Sequence, residues 1–206
     1  MAPEIAAALP VWWTTWVMPI GAGICLSTAC GFRTFVPLLC IGVASHFGVF
    51  AVDPQYAWLG SPAGLLALGI AALLEVGGYY IPLVDHALDV IATPLATVAG
   101  ILAMFVSIGG DHGIPGWLLA VVLGGGVSGA MQLTTVKARA ISTGTTAGFA
   151  NPLVATAELL GAATLSALAI FVPALAVVLA VILLVVLWRA SRWVRQRLSS
   201  TSHTAS

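Results

Sequence analysis

The chain has 206 residues, of which 60% are hydrophobic and only 7% charged, against roughly a quarter charged in a soluble domain. That composition excludes an ordinary water-soluble globule and places nearly every residue in or beside a bilayer. Seven Lys and Arg balance seven Asp and Glu, so net charge selects no partner, and nucleic-acid binding has no basic soluble face to rest on.

A helix that spans a bilayer needs about 20 mostly apolar residues. Apolar runs occur at residues 11–29, 34–50, 58–80, 83–108, 115–136, 149–171 and 174–194. They predict an all-α, polytopic transmembrane helix bundle of six to seven spans, with broken or re-entrant segments near 27–39 and 141–153. Residues 1–198 form one transmembrane domain, and the Ser/Thr-rich tail at 199–206, including His203, is expected to be disordered. The first ten residues carry no Lys or Arg, so they lack the basic region of a cleavable signal peptide and are expected to stay attached.

Basic residues mark the cytoplasmic side of membrane proteins. With seven spans and a cytoplasmic C-terminus, Arg33, Lys137, Arg139, Arg189, Arg192, Arg195 and Arg197 all fall inside. Glu4, Asp53 and Asp111 then fall outside, and Trp12, Trp13, Trp58 and Trp117 sit at the outer headgroup level. The expected location is the plasma (inner) membrane. The basic end of the last run would anchor to anionic lipid headgroups, which makes the bilayer itself the first partner.

Two stretches share a pattern. Residues 27–38, "STACGFRTFVPL", and 142–153, "STGTTAGFANPL", both run from Ser-Thr through small residues and Gly-Phe to a proline. They suggest an internal repeat, with halves at 11–108 and 113–198. A helix broken by Gly and Pro inside a membrane is where many transporters bind substrate. Ser142, Thr143, Thr145, Thr146 and Asn151 would offer hydroxyl and amide groups, and Arg33 a fixed positive charge. The plainer alternative is a polar loop whose hydroxyls cap the next helix.

The ionisable residues concentrate in "LLEVGGYYIPLVDHALDVIATP", residues 73–94. Asp85 and Asp89 stand one helical turn apart, with His86 three residues from Asp89. Adjacent carboxylates raise one another's proton affinity, so this group could couple a proton or cation to a solute; it could equally mark a wetted helix start. Glu75 and Glu158 lie within apolar runs, where an ionisable group is a functional hypothesis by default. Glu158 is expected to face a polar interior, and an ion pair of Glu158 or Glu75 with Arg33 is the structural alternative.

Cys25, Cys30 and Cys40 lie in apolar segments without metal-ligand spacing, and Asp111-His112 and His46 read as solvated surface groups. No cofactor and no metal is implied by any motif. Gly124, Gly125, Gly126, Ser128 and Gly129 permit close helix approach, either within the chain or in a homo-oligomer formed through 115–136.

At "ACGFRTFVPLL", "LLEVGGYYIPLVDHALD" and "STGTTAGFANPLVATAEL" the chain resembles a family of small bacterial multi-spanning proteins known only as a domain of unknown function. The matching positions are Gly31, Phe32, Arg33, Pro37, Glu75, Ile81, Pro82, Asp85, His86, Asn151 and Glu158. The family commonly has a basic residue after the acidic helix, where this chain has Tyr79 and Tyr80. The resemblance implies those residues as a site and names no reaction.

Arg33, Glu75, Asp85, His86, Asp89, Thr145, Asn151 and Glu158 are therefore the expected site of a small secondary transporter or channel for a polar or ionic solute or a cation. A lipid-processing membrane enzyme with His86 and Asp89 as acid and base, and a non-catalytic scaffold, are the alternatives.

Overall fold

The computed structural model describes residues 10–109 and 113–182, with positions 185 and 189, and the side chains of Pro82, Leu83, Asp85 and His86 lie outside that description. Glu4, Asp111, His112, Arg192, Arg195, Arg197 and the 199–206 tail also lie outside the described residues. All described elements are helical. In chain order they are α1 (Trp13–Phe32), α2 (Phe35–His46), a 3-10 helix (Pro54–Gly60), α3 (Pro62–Gly78), α4 (Pro82–Ile108), α5 (Gly113–Thr146), α6 (Asn151–Phe171) and α7 (Pro173–Ile182).

Four of them, α1, α4, α5 and α6, are long and apolar enough to cross a membrane; the bent pair of the 3-10 helix and α3 makes up to five. The pair bends by 59° because Ser61 leaves the helical conformation. Its hydroxyl accepts the Gly64 N–H at 3.0 Å, with Pro62 opening the new helix.

Four sequence expectations are corrected or narrowed. The run at 34–50 folds as a helix of 12 residues, about 18 Å at 1.5 Å per residue, which is too short to cross alone. It ends where Gly48 takes a positive φ of 68°. The run expected at 115–136 continues to Thr146, making α5 34 residues long. The supposed break at 141–153 therefore shrinks to residues 147–150. The helix survives its hydroxyl-rich end because Thr145 and Thr146 donate back to the carbonyls of Ile141 (2.9 Å) and Ser142 (2.7 Å), a bond that helices tolerate. The break at 27–39 likewise narrows to residues 33–34.

Helix α1 is the centre of the bundle. Its residues from Gly21 to Gly31 are all buried, so that stretch shows no lipid face, and α2, α4, α5 and α6 pack around it. The small residues of the sequence permit this. A Cβ added at Gly31 would stand 2.5 Å from both Met131 Cβ and the Ser128 carbonyl of α5. At the α4–α5 crossing, a Cβ on Gly124 would stand 2.6 Å from the Gly100 carbonyl. Gly124, Gly125 and Gly129 thus approach α4 within the same chain, and only Gly126 of that run faces open space. The backbone opens into a π-helical turn at Ala120–Gly125, beside this contact.

The two ends of the bundle differ in chemistry. Trp12 and Trp16 at the start of α1, Trp58 on the 3-10 helix and Trp117 at the start of α5 are exposed at one end, as amphipathic rings at a headgroup level would be. The joints α1–α2, α3–α4 and α5–α6 lie at the other end, with Arg33, Glu75, Asp89, Arg139 and Glu158 on the helices that meet there.

Candidate functional site

Arg33 terminates α1 in an extended conformation, φ −146° and ψ 121°, which turns the chain sharply into α2. Its side chain enters the bundle and is 1% exposed. Nη2 donates to the Ala155 carbonyl of α6 at 2.9 Å and lies 3.2 Å from Glu158 Oε2. Glu158 stands two turns into α6, 4% exposed, and faces neither lipid nor solvent.

The strongest partner of Glu158 is Arg139 of α5. Arg139 Nε donates to Oε1 at 3.2 Å, and Nη2 donates to Oε2 at 2.9 Å and Oε1 at 3.1 Å. The same guanidinium donates through Nη1 to Asp89 Oδ1 of α4 at 2.7 Å. One carboxylate therefore sits between two arginines, and one arginine between two carboxylates. Removing one member of such a buried set costs about 3–5 kcal/mol, because its partner keeps a charge that water cannot reach.

Tyr79, just past the end of α3, is the platform under both cations. Its ring centroid is 4.1 Å from the Arg33 guanidinium carbon and 4.0 Å from that of Arg139. Each desolvated cation–π contact is worth up to about 2 kcal/mol. The position at which the sequence showed tyrosine in place of a basic residue is thus where the two basic residues from elsewhere in the chain meet. Neighbouring Tyr80 ties α3 to α6 through a 2.8 Å hydroxyl contact with Thr156.

Glu75 has a different task. Its Oε1 accepts the Thr34 N–H at 2.7 Å and its Oε2 the Phe35 N–H at 3.0 Å. These are orphan donors at the first turn of α2, the positive end of a helix dipole. A carboxylate from α3 thus caps a helix 40 residues earlier in the chain. The free N–H groups that a solute might have used there are occupied by the protein itself.

Of the expected site residues, the structure brings together Arg33, Glu75, Asp89 and Glu158. Asn151 is buried at the start of α6, two turns before Glu158 on the same helix, where Nδ2 donates to Thr143 Oγ1 at 3.0 Å. Thr145 is exposed, and its hydroxyl is spent on its own helix. Asp85 and His86 belong to the first turns of α4, and their side chains are outside the described residues. Among the described residues no three His, Cys, Asp or Glu side chains gather as metal ligands.

Arg139, Tyr79 and Gln132 were missed as site residues. The sequence does hold a signal for two of them. Ser128, Gln132, Thr135, Arg139 and Ser142 are spaced four, three, four and three residues apart, the period of one helix face, and all five are buried on α5. Reading Arg139 only as a mark of the cytoplasmic side concealed that stripe.

Two apolar clefts open in the bundle, one beside the site and one toward the far ends of α2 and α6. One, of about 240 Å³, runs between α3 and α4 from Thr34, Glu75 and Tyr79 to Leu88, Ile91 and Leu95. The other, of about 330 Å³, lies between α2 and α6 and includes Cys40, Phe47 and Phe171.

No curated protein and no solved structure matches the chain. The arginine at the α1–α2 break, the acidic end of α3 and Glu158 in α6 fall inside a single family match that spans residues 20–193, and the chain belongs to that family, described as a domain of unknown function (DUF4126).

Proposed function

We propose that this chain is a small secondary transporter or channel for a small polar or ionic solute. It resides in the plasma (inner) membrane as a multi-pass protein of six to seven spans with its C-terminus cytoplasmic. The observation that carries this reading is the buried position of Glu158 between Arg139 and Arg33, the residue at the α1–α2 break. Ionisable groups inside spanning helices cost about 2.5–3.5 kcal/mol each even on the lenient insertion scale. Apolar residues of similar volume close such a bundle equally well or better, so a charge cluster held at that cost points to a polar route. The stripe from Ser128 to Ser142 supports the same reading, since it extends polar side chains along the inner face of α5 from mid-helix to the charged end.

Proteoliposomes containing the protein, assayed for uptake of sodium salts, potassium salts and neutral polyols, test the proposal. The expected result is solute-selective uptake by wild type that Glu158→Gln abolishes while remaining monodisperse and folded. Folded wild type that moves none of the solutes overturns it.

A second reading, a membrane scaffold closed by ion pairs, is favoured by the full engagement of both Glu158 oxygens by Arg139. Under it a variant that replaces the whole set, Arg33→Met/Asp89→Asn/Arg139→Met/Glu158→Leu, keeps wild-type stability, and neither it nor wild type moves solute.

A further inference from the structure

We infer that the solute recognised at this site is a small organic monocation, an alkyl or aryl ammonium, bound in the cleft between α3 and α4 with Glu75 as its counter-ion. The inference rests on the transport reading for the site's purpose, although the cation is tested by binding alone.

The charges at the joints do not balance. Among the described residues, the carboxylates of Glu75, Asp89 and Glu158 stand against the guanidinium groups of Arg33 and Arg139. Arg139 takes Glu158 and Asp89, and Arg33 shares Glu158. Glu75 has no arginine, lysine or histidine within ion-pair distance among the described residues; its hydrogen bonds come from the backbone N–H groups of Thr34 and Phe35. The helix end behind those groups offsets about half a charge, which leaves the set negative. A carboxylate has about four acceptor positions, so Glu75 keeps capacity for a further partner.

Room lies at the same residue. Glu75 lines the cleft of about 240 Å³, with buried Thr34 and half-buried Phe35 of α2 on its inner side and the exposed side chains of Leu74 and Ile91 on its outer side. Helices α3 and α4 touch at the charged end, where a Cβ on Gly78 would stand 2.5 Å from Leu88 Cδ1. From Leu88 the cleft follows α4 to Leu95, about 10 Å along the axis at 1.5 Å per residue.

The walls select the ligand. An inorganic cation must exchange its water for several oxygen ligands, and this cleft offers one carboxylate among alanine, leucine and isoleucine side chains. An organic ammonium brings apolar surface of its own and needs one negative charge. Phe35 adds an aromatic ring to the wall, the kind of surface on which quaternary ammonium groups are held. The volume of about 240 Å³ falls below the roughly 300–1,000 Å³ of pockets for drug-sized molecules, so the ligand is small. An anion would meet a set that is already negative.

The test is the thermal stability of the full chain in a non-ionic detergent with benzyltrimethylammonium chloride, against sodium chloride at equal ionic strength and against benzyl alcohol, which keeps the ring and lacks the charge. A ligand that binds only the folded state raises the melting temperature with saturable dependence. Benzyltrimethylammonium is expected to do so, and sodium and benzyl alcohol are not. Ala71→Leu, which fills the cleft and leaves every charge in place, is expected to raise the half-saturating concentration by about tenfold or more while melting no lower than wild type without ligand. Glu75→Gln is expected to abolish the response; should it not fold, benzyl alcohol still tests the charge and Ala71→Leu the place.

Equal melting in the two salts, an equal response to benzyl alcohol, or an unchanged half-saturation in Ala71→Leu overturns the cation site. The two readings fail separately. Uptake of sodium salts or polyols without stabilisation by the organic cation leaves a transporter of another solute, and stabilisation without uptake leaves a cation site in a protein that does not transport.

Discussion

The joints at residues 33–34 and 147–150 arise from similar strings, Ser-Thr followed by small residues and Gly-Phe, yet they are held in opposite ways. At the first, Arg33 and Thr34 are buried, and apart from the helical bond of the Arg33 N–H to the Ala29 carbonyl the groups that fix them come from far along the chain: Glu75 on the Thr34 and Phe35 N–H groups, Ala155 and Glu158 on the arginine. The second is local and open to the outside. Ala147 takes the left-handed conformation at φ 51°, Gly148 follows at φ 86°, Thr146 Oγ1 accepts the Ala150 N–H at 3.1 Å, and Phe149 is 89% exposed. A turn that satisfies its own backbone needs no neighbours. One that leaves a cation and two N–H groups inside the bundle must recruit them, and that recruitment assembles the site.

This contrast can be broken by mutation, and the largest effect is expected where the recruited charges are densest. Arg139→Ala removes the main partner of Glu158, leaving it Arg33, and takes the arginine from Asp89; it should destabilise the protein by about 3–5 kcal/mol, seen as a lower melting temperature or loss of the monodisperse species in detergent. Glu75→Gln keeps the shape of the first joint but removes the negative charge at the α2 start. A loss of about 1.5–3 kcal/mol is expected, the worth of hydrogen bonds to an ionised acceptor; an unchanged melting curve would show that the first joint stands without its distant cap.

At the second joint the same class of change should matter less. Asn151→Ala deletes the contact with Thr143 and is expected to cost about 1 kcal/mol, the net value of an ordinary hydrogen bond. Ala147→Gly should raise stability by about 0.5 kcal/mol, since glycine carries no Cβ to oppose a positive φ. If Asn151→Ala proved as damaging as Glu75→Gln, the local and recruited joints would not differ in the way their contacts indicate.

Much of the fold was legible in the chain. The starts and ends of α4 and α6 fall within two residues of the apolar runs, because prolines at 82 and 152 open those helices and lipid solvation demands long uninterrupted apolar stretches. The length of α5 was not legible from hydropathy, which fades at Val136 while the helix continues to Thr146. Its buried polar face has a helical period but little apolar content, so a method that looks for oil stops where the site begins. In the site itself, Arg33, Glu75, Asp89 and Glu158 stood out because ionisable residues are rare in such a chain. Their pairing did not, since residues 50 positions apart in sequence, such as Asp89 and Arg139, carry no mark of being neighbours.

By itself, then, the sequence determined the solvent, the helical class and the small set of charged residues that had to be either paired or used. Those follow from composition and period, which act locally along the chain. Only the tertiary structure decided that Arg139 takes Glu158 and Asp89, that Tyr79 underlies both arginines, and that Glu75 occupies the helix end. Charge pairing in an interior depends on which helix ends converge, and that is set by the packing of small residues around α1 rather than by any residue's own preference.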